Sequence, residues 1–431
     1  MSAQLSYSAA FADIRQGLAM PQFQTARSPI AIIGGGPAGL MAAETLALAG
    51  FSVTVYERMP TVGRKFLMAG RGGLNLTHSE NLEHFLDRYG PARRWLEPII
   101  RAFPPNAVRQ WADDLGAETF VGSSGRVFPK AMKASPLLRA WLGRLRALNV
   151  EIRTRTEWRG WDESGALLLH SQEGDSIKLR PAATILALGG ASWPRLGSDG
   201  SWRAPLEHLG VTVSALEPAN CGFTIPWCPY ISERFAGTPL KTCMFSVDGH
   251  AIRGEAIITR TGIEGGAIYA LSARLRDQIR QKGQARLTLD LRPDLSHSDL
   301  QMRLSRVGRK QSLSNRLRKA AKLSPLAIAL VLEHLNKAPR TSSHDEISNL
   351  IKCLSFDVTG SQPIDRAIST AGGVSFRNLD DQLMLRASAG IFIAGEMLDW
   401  DAPTGGYLLQ ACLSSGFSAA QAVKNWLNNA S

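Results

Sequence analysis

The sequence predicts an α/β protein whose central unit is a dinucleotide-binding parallel sheet interrupted by a long insertion. Three observations carry this expectation. A strand, a glycine-rich turn, a helix and a second strand follow one another over residues 29–57; two more apolar strands ending in glycine occur far downstream, at 183–188 and 390–394; and the pattern between those two changes first to short alternating stretches and then to helix.

Residues 1–28 read as an N-terminal extension without the compact apolar segment of a secretory signal. Pro29 to Ile33 is a short buried strand running into Gly34, and Ala38 to Ala49 is an Ala/Leu-rich helix stopped by Gly50. Phe51 to Glu57 alternates β-branched and aromatic residues and ends in a carboxylate, completing a β-α-β unit of about 30 residues. Ala183 to Leu188 and Gly390 to Ala394 are continuously apolar, as strands covered on both faces are. Between them, residues 206–292 carry stretches such as Met244 to Val247 and Glu255 to Ile258, broken by Gly and Pro, which predict a β-lobe. Residues 293–355 change to helical spacing with Pro325 opening a helix. The dinucleotide-binding domain is therefore expected in two pieces, 29–205 and 356–431.

Gly34-Gly35-Gly36-Pro37-Ala38-Gly39 satisfies G-x-G-x-x-G in its required setting, after a strand and at the start of a helix. Gly34 turns the chain off the strand, Gly36 lacks a Cβ that would block a pyrophosphate, and Gly39 lets the helix approach the strand. Pro37 and Ala38 open the helix whose free N–H groups and positive end suit phosphate. Glu57, 18 residues beyond Gly39, suits the ribose hydroxyls and repels a 2′-phosphate, so FAD or NAD fits better than NADP. At the other end of the chain, Gly395-Glu396 closes a strand, and Thr404-Gly405-Gly406-Tyr407 opens another helix. A dinucleotide held from both ends of the chain is an extended one, which points to FAD. Glu396 then suits the ribityl hydroxyls, and the turn at Gly405, Gly406 and Tyr407 suits the N1/C2=O edge of the flavin, where a helix dipole stabilises the negative charge of the reduced form.

Several segments together resemble the YhiN/BaiN-like family of FAD-dependent flavoproteins. They are the fingerprint Ile33 to Gly39, the stretch Gly63 to Thr77, Leu188 to Pro194 with Gly197 to Gly200, Thr370 to Val374, and Gly395 to Gly416. The resemblance implies a discontinuous FAD-binding, glutathione-reductase-type Rossmann-like domain with an inserted β-barrel-like lobe and a small helical lobe. It implies cofactor contacts at Gly34, Gly36, Gly39, Glu57, Arg64, Lys65, Gly395 and Glu396, to which the end of the strand at Gly189 is added, and a loop from Arg71 to Thr77 near the isoalloxazine. Many relatives have Gly-Arg-Cys-Asn where this chain has Arg71-Gly72-Gly73-Leu74-Asn75, which marks a distinct subgroup.

Composition excludes several chemistries. Five cysteines without Cys-x-x-Cys spacing disfavour a disulfide framework, a metal cluster and a redox-active dithiol, and fit a reducing cytoplasm. No apolar run reaches the roughly 18 residues of a membrane span. The catalytic candidates are Arg71, Asn75 and Thr77, which lie in the flavin-facing loop. His78 reads as a cap or surface residue, Trp193-Pro194 as packing, and Cys243 and Cys412 as small core residues. The expected function is NAD(P)H-linked hydride transfer through FAD to a small-molecule substrate. With no second G-x-G-x-x-G, NAD(P)H would bind transiently as a co-substrate. The alternative is an RNA-associated flavoprotein, suggested by the net charge of +12 and by Arg303, Arg306, Arg309, Lys310, Arg316, Arg318 and Lys319, although aromatics are missing from that stretch.

Overall fold

In the apolar run Ile30–Ile33 the chain forms strand β1, and Pro37–Leu48 forms helix α1, with Pro37 in the first turn where its missing N–H costs nothing. Val53–Tyr56 is β2, Glu151–Arg153 is β3, Thr184–Leu186 is β4, Ile391–Ile393 is β5 and Tyr407–Asn429 is the last helix, α2. This computed structural model describes residues 28–69, 72–307, 311–336 and 343–429. Arg71, Arg309, Lys310 and nearly all of the N-terminal extension thus lie outside the described residues.

The five strands pair in parallel in the order β5-β4-β1-β2-β3. Their registers align Ile33 with both Tyr56 and Leu186, and Leu186 with Ile393. The residues that follow therefore leave the sheet along one edge: Gly34 and Glu57 at once, and Gly189 and Gly395 shortly after. Every residue of β1, β2, β4 and β5 is buried, which explains why these strands read as continuous apolar runs. The expected strands are found, each a few residues shorter at its ends. The last helix starts at Tyr407, at the expected opening turn, and runs to Asn429.

Helix α2 comes from the far end of the chain, yet it lies on α1 at backbone contact. A Cβ at Gly416 would sit 2.2 Å from the Ala38 carbonyl oxygen, and one at Gly395 would sit 2.8 Å from the Ala38 Cβ. Helix α1 also buries Glu44, whose carboxylate accepts hydrogen bonds from the indoles of Trp111 (3.0 Å) and Trp141 (2.6 Å) and pairs with Arg144 (2.9 Å).

Two compact units result, one ending at Glu217 and resuming at Ser369, the other spanning Pro218–Ile368. The second holds a seven-stranded antiparallel sheet. Leu354–Val358 and Gly360–Ser361 lie at opposite ends of its strand order, yet only Thr359 separates them in sequence. One residue advances the chain by about 3.8 Å, so the two edges must meet, and the sheet curls like a barrel. The helices His297–Arg306, Leu313–Ala320, Pro325–Asn336 and His344–Lys352 follow the expected helical stretch. They are not a separate lobe: Leu300, Leu304, Leu317 and Ile351 share one core with Phe223, Phe245 and Leu287. The expected breaks near 205, 292 and 355 move for a related reason. Leu354–Val358 pairs with Ala285–Asp290 inside the second unit, while the strands leading out and back, Val213–Ala219 and Ser369–Val374, pair with each other. Among the described residues no helix is long and apolar enough to cross a membrane.

Candidate functional site

The site lies along the carboxyl edge of the parallel sheet, where open α/β folds place their ligands. Gly34 adopts φ +110°, and a Cβ there would fall 2.3 Å from the Ala187 carbonyl oxygen, so only glycine can make the turn. Gly39 seats the first turn of α1 on it, its Cβ position being 2.0 Å from the Gly34 carbonyl. Gly36 differs from both. Its backbone is extended (φ −83°, ψ −178°), and no atom lies within 4 Å of its Cβ position. No side chain caps the α1 terminus at Gly36, so open space adjoins the free N–H groups that begin the helix.

Glu57 stands at the end of β2 with each carboxylate oxygen bonded to a backbone amide, Oε2 to Gly35 N–H and Oε1 to Met59 N–H, both at 2.8 Å. Burial pushes its carboxyl up, against the pull of those two amides. Each oxygen keeps a second lone pair, enough for the two hydroxyls of a ribose. Arg58 pairs with Asp199 at 2.6 Å, which anchors the 197–200 loop beside Glu57. In that loop the buried Ser198 Oγ has no partner.

Glu396 is buried, and the chain itself engages it. Lys65 Nζ lies 2.7 Å from Oε2 and Thr370 N–H 3.0 Å from Oε1. Lys65 also donates to Ser192 Oγ at 2.9 Å. Thr370 Oγ1 accepts the amide of Ala191 at 2.9 Å, which fixes the turn after Gly189. The Gly189 carbonyl takes the Trp202 indole N–H at 2.8 Å, and Gly395 N–H donates to Ser415 Oγ at 2.9 Å. The structure thus turns Lys65 toward a carboxylate rather than leaving it free. Arg64 bonds Thr61 at 3.3 Å and keeps a buried Nε without a partner.

The loop before Thr77 meets the turn before α2. A Cβ at Gly406, at φ +97°, would lie 2.6 Å from Thr77 Cα, and Gly405 precedes it at φ +133°. Two expected roles change here. Thr77 is fully buried and donates to Gln410 Oε1 at 2.6 Å, so its hydroxyl braces α2 instead of facing a ligand. Tyr407 is also buried. Its phenol donates to Glu80, which pairs with Arg88 at 2.7 Å, and its ring stacks on His78 at 5.6 Å, so only its backbone can serve the site. Burial and the Glu80 carboxylate both push the Tyr407 phenol up. Asn75 keeps its place as a candidate: its buried Oδ1 has no partner. His78 has none to offer, because Nε2 lies 2.9 Å from the Ser124 carbonyl and Nδ1 accepts the Glu80 amide at 3.1 Å.

The sequence reading missed Glu80, Gln410, Ser415 and the bracing role of Thr370. Thr370 stands in a glycine-rich segment already singled out, whereas Glu80 and Gln410 act through partners hundreds of residues away and leave no local pattern. The Cys412 thiol is pushed well up by burial and then by the Glu396 charge, and burial pushes Cys243 up to about 11, so neither is a thiolate near neutrality.

Comparison with known proteins gives concordant matches. The family model for the HI0933-like protein Rossmann domain matches residues 28–422. The 3-dehydro-bile acid delta(4,6)-reductase of Clostridium scindens is 24% identical over 91% of this chain and 98% of its own length. The ribosomal RNA dihydrouridine synthase of Haemophilus influenzae is 24% identical over 91% of this chain and 97% of its own. Among solved structures, the open conformation of a flavocytochrome c3 fumarate reductase superposes with a TM-score of 0.51 at 14% identity, covering 96% of this chain and 81% of that one, which is a likeness of fold.

Proposed function

The chain belongs to the HI0933-like family and is an FAD-dependent oxidoreductase, and from that premise we propose that it saturates a carbon–carbon double bond conjugated to a carbonyl, with NAD(P)H as donor. The names of both curated relatives describe saturation of such a bond, one in a 3-oxo bile acid and one in a pyrimidine of RNA. The observation that carries the cofactor assignment is the convergence of Gly36, Glu57, Gly189 and Glu396 on one sheet edge, with the space at Gly36 open.

In this reading the α1 terminus and the unpartnered Arg64 Nε bind the pyrophosphate, and Glu57 accepts the ribose hydroxyls. The Lys65–Glu396 pair serves the ribityl chain. Bound FAD supplies the hydride chemistry. Asn75 presents its free Oδ1 to the flavin edge, and the backbone at Gly406 and Tyr407 turns the positive end of α2 toward the developing charge. Arg71, outside the described residues, is by its place in the sequence the candidate for orienting the carbonyl of the substrate. Anaerobic rapid mixing with NADH and with NADPH tests the donor. Bleaching of the visible flavin bands by one of them is expected; a flavin that stays oxidised with both removes nicotinamide from the reaction.

A second reading, in which the acceptor is a uridine of RNA, draws support from the H. influenzae relative and from the uneven distribution of charge along the chain.

A further inference from the structure

The positive charge of the chain is concentrated in one unit. Pro218–Ile368 holds 22 Lys and Arg against 13 Asp and Glu, a net +9 of the +12 carried by the whole chain. Within it, the residues between Asp299 and Glu333 include eight Lys and Arg and no acid or aromatic residue.

The helices His297–Arg306 and Leu313–Ala320 bury Leu300, Leu304 and Leu317, which turns Arg303, Arg306, Arg318 and Lys319 outward, and Lys322 follows them, also exposed. Arg316 is half-buried with Nε and Nη2 unpartnered. Among the described residues no carboxylate comes within 4.0 Å of any of these six. One helix of the first unit shows a different arrangement, although Arg94 on it, and Arg139 and Arg146 on Ala134–Ala147, are exposed without an ion pair among the described residues. On Arg93–Ala102, Arg93 pairs with Glu83, Asp87 and Glu97, and Arg101 with Glu83 and Glu97. Four of these six residues lie in last helical turns, where a cation stabilises the helix end. That accounts for the placement of those four, not for the lack of a carboxylate within 4.0 Å of all six; Asp299 acts on Arg303 only at longer range.

We infer that this unneutralised face is a docking surface for RNA that grips the phosphate backbone and not the bases. The chemistry favours backbone recognition, because arginine and lysine without interleaved aromatics offer phosphate contacts but no stacking platform. The choice of RNA among polyanions rests on the uridine reading.

The test uses the FAD-loaded full chain and a fluorescein-labelled RNA hairpin, with anisotropy read across a salt series. The wild-type protein binds at low salt, and its log K falls steeply with log salt. The variant Arg303→Gln/Arg306→Gln/Arg318→Gln/Lys319→Gln, checked for an unchanged thermal transition and flavin spectrum, binds at least tenfold more weakly. Its salt slope is shallower by about 0.7–0.9 for each phosphate it no longer neutralises. Arg93→Gln/Arg101→Gln binds like the wild type. The proposal is overturned by absence of binding at low salt, by equal affinity of the fourfold variant, or by equal binding of a DNA duplex of the same length. Capture by phosphatidylserine vesicles in place of RNA also overturns it. Failure of the uridine reading is seen separately, as RNA that binds but carries no dihydrouridine by mass spectrometry after incubation with the donor.

Discussion

Gly36 and Gly39 stand three residues apart in the same fingerprint but respond to substitution for opposite reasons. A side chain at Gly36 enters open space beside the α1 terminus, so Gly36→Val is expected to fold with a normal thermal transition and to lose FAD. Gly39→Ala forces a methyl against the Gly34 carbonyl and is expected to lower stability by about 1–3 kcal/mol, read as a shifted denaturation midpoint. Asn75→Ala removes an oxygen with no partner to lose, so the cofactor-free protein keeps its melting temperature while the visible spectrum of the bound flavin shifts. Glu57 adds a pH dependence. Its carboxyl titrates above the usual carboxylate range because it is buried, and ribose hydroxyls donate to the ionised form. FAD affinity is therefore full above that raised pKa and falls as pH drops through it, whereas the stability of the cofactor-free protein changes in the opposite sense, declining as pH rises through the same value. Titration of FAD binding between about pH 4 and 8 should show this fall for the wild type and a flat profile for Glu57→Gln. Gly34, Gly36, Gly39 and Glu57 were legible in the sequence because their spacing is local. The fates of Thr77 and Tyr407 were not, since each is decided by a partner far away in the chain, Gln410 and Glu80.

At the scale of elements, the site depends on α1 and α2 touching. Ser415 holds Gly395 N–H, Gly416 clears Ala38, and Gln410 bonds the Phe103 carbonyl at 2.8 Å, so one helix fixes three surrounding segments. Helix α1 is also fixed through Glu44. Glu44→Ala removes the buried acceptor of two indole N–H groups and one partner of Arg144, and is expected to cost about 1–3 kcal/mol for each indole left unsatisfied, measured as a lower denaturant midpoint. Four of the five parallel strands could be read from the sequence as short apolar or β-branched runs, whereas Glu151–Arg153, short and largely exposed, could not. Thr119–Val121 and Arg126–Pro129 could not, because they are short, partly exposed and paired antiparallel without an apolar face long enough to show a period.

Across the whole molecule, the order of elements, a sheet begun at one end of the chain and completed from the other around an insertion, was visible as two sets of glycine-ended strands separated by a different pattern. The division of the insertion was not. Helices and strands of Pro218–Ile368 share one core, and composition alone cannot reveal that two kinds of secondary structure bury the same leucines. Everything proposed for the chemistry depends on one edge of the parallel sheet gripping FAD. The decisive experiment takes the purified chain, records its visible absorption, denatures it and identifies what is released. A yellow protein that releases FAD is expected, together with a Gly36→Val variant that is folded and colourless; a wild-type protein that is colourless and takes up no added FAD would contradict the assignment.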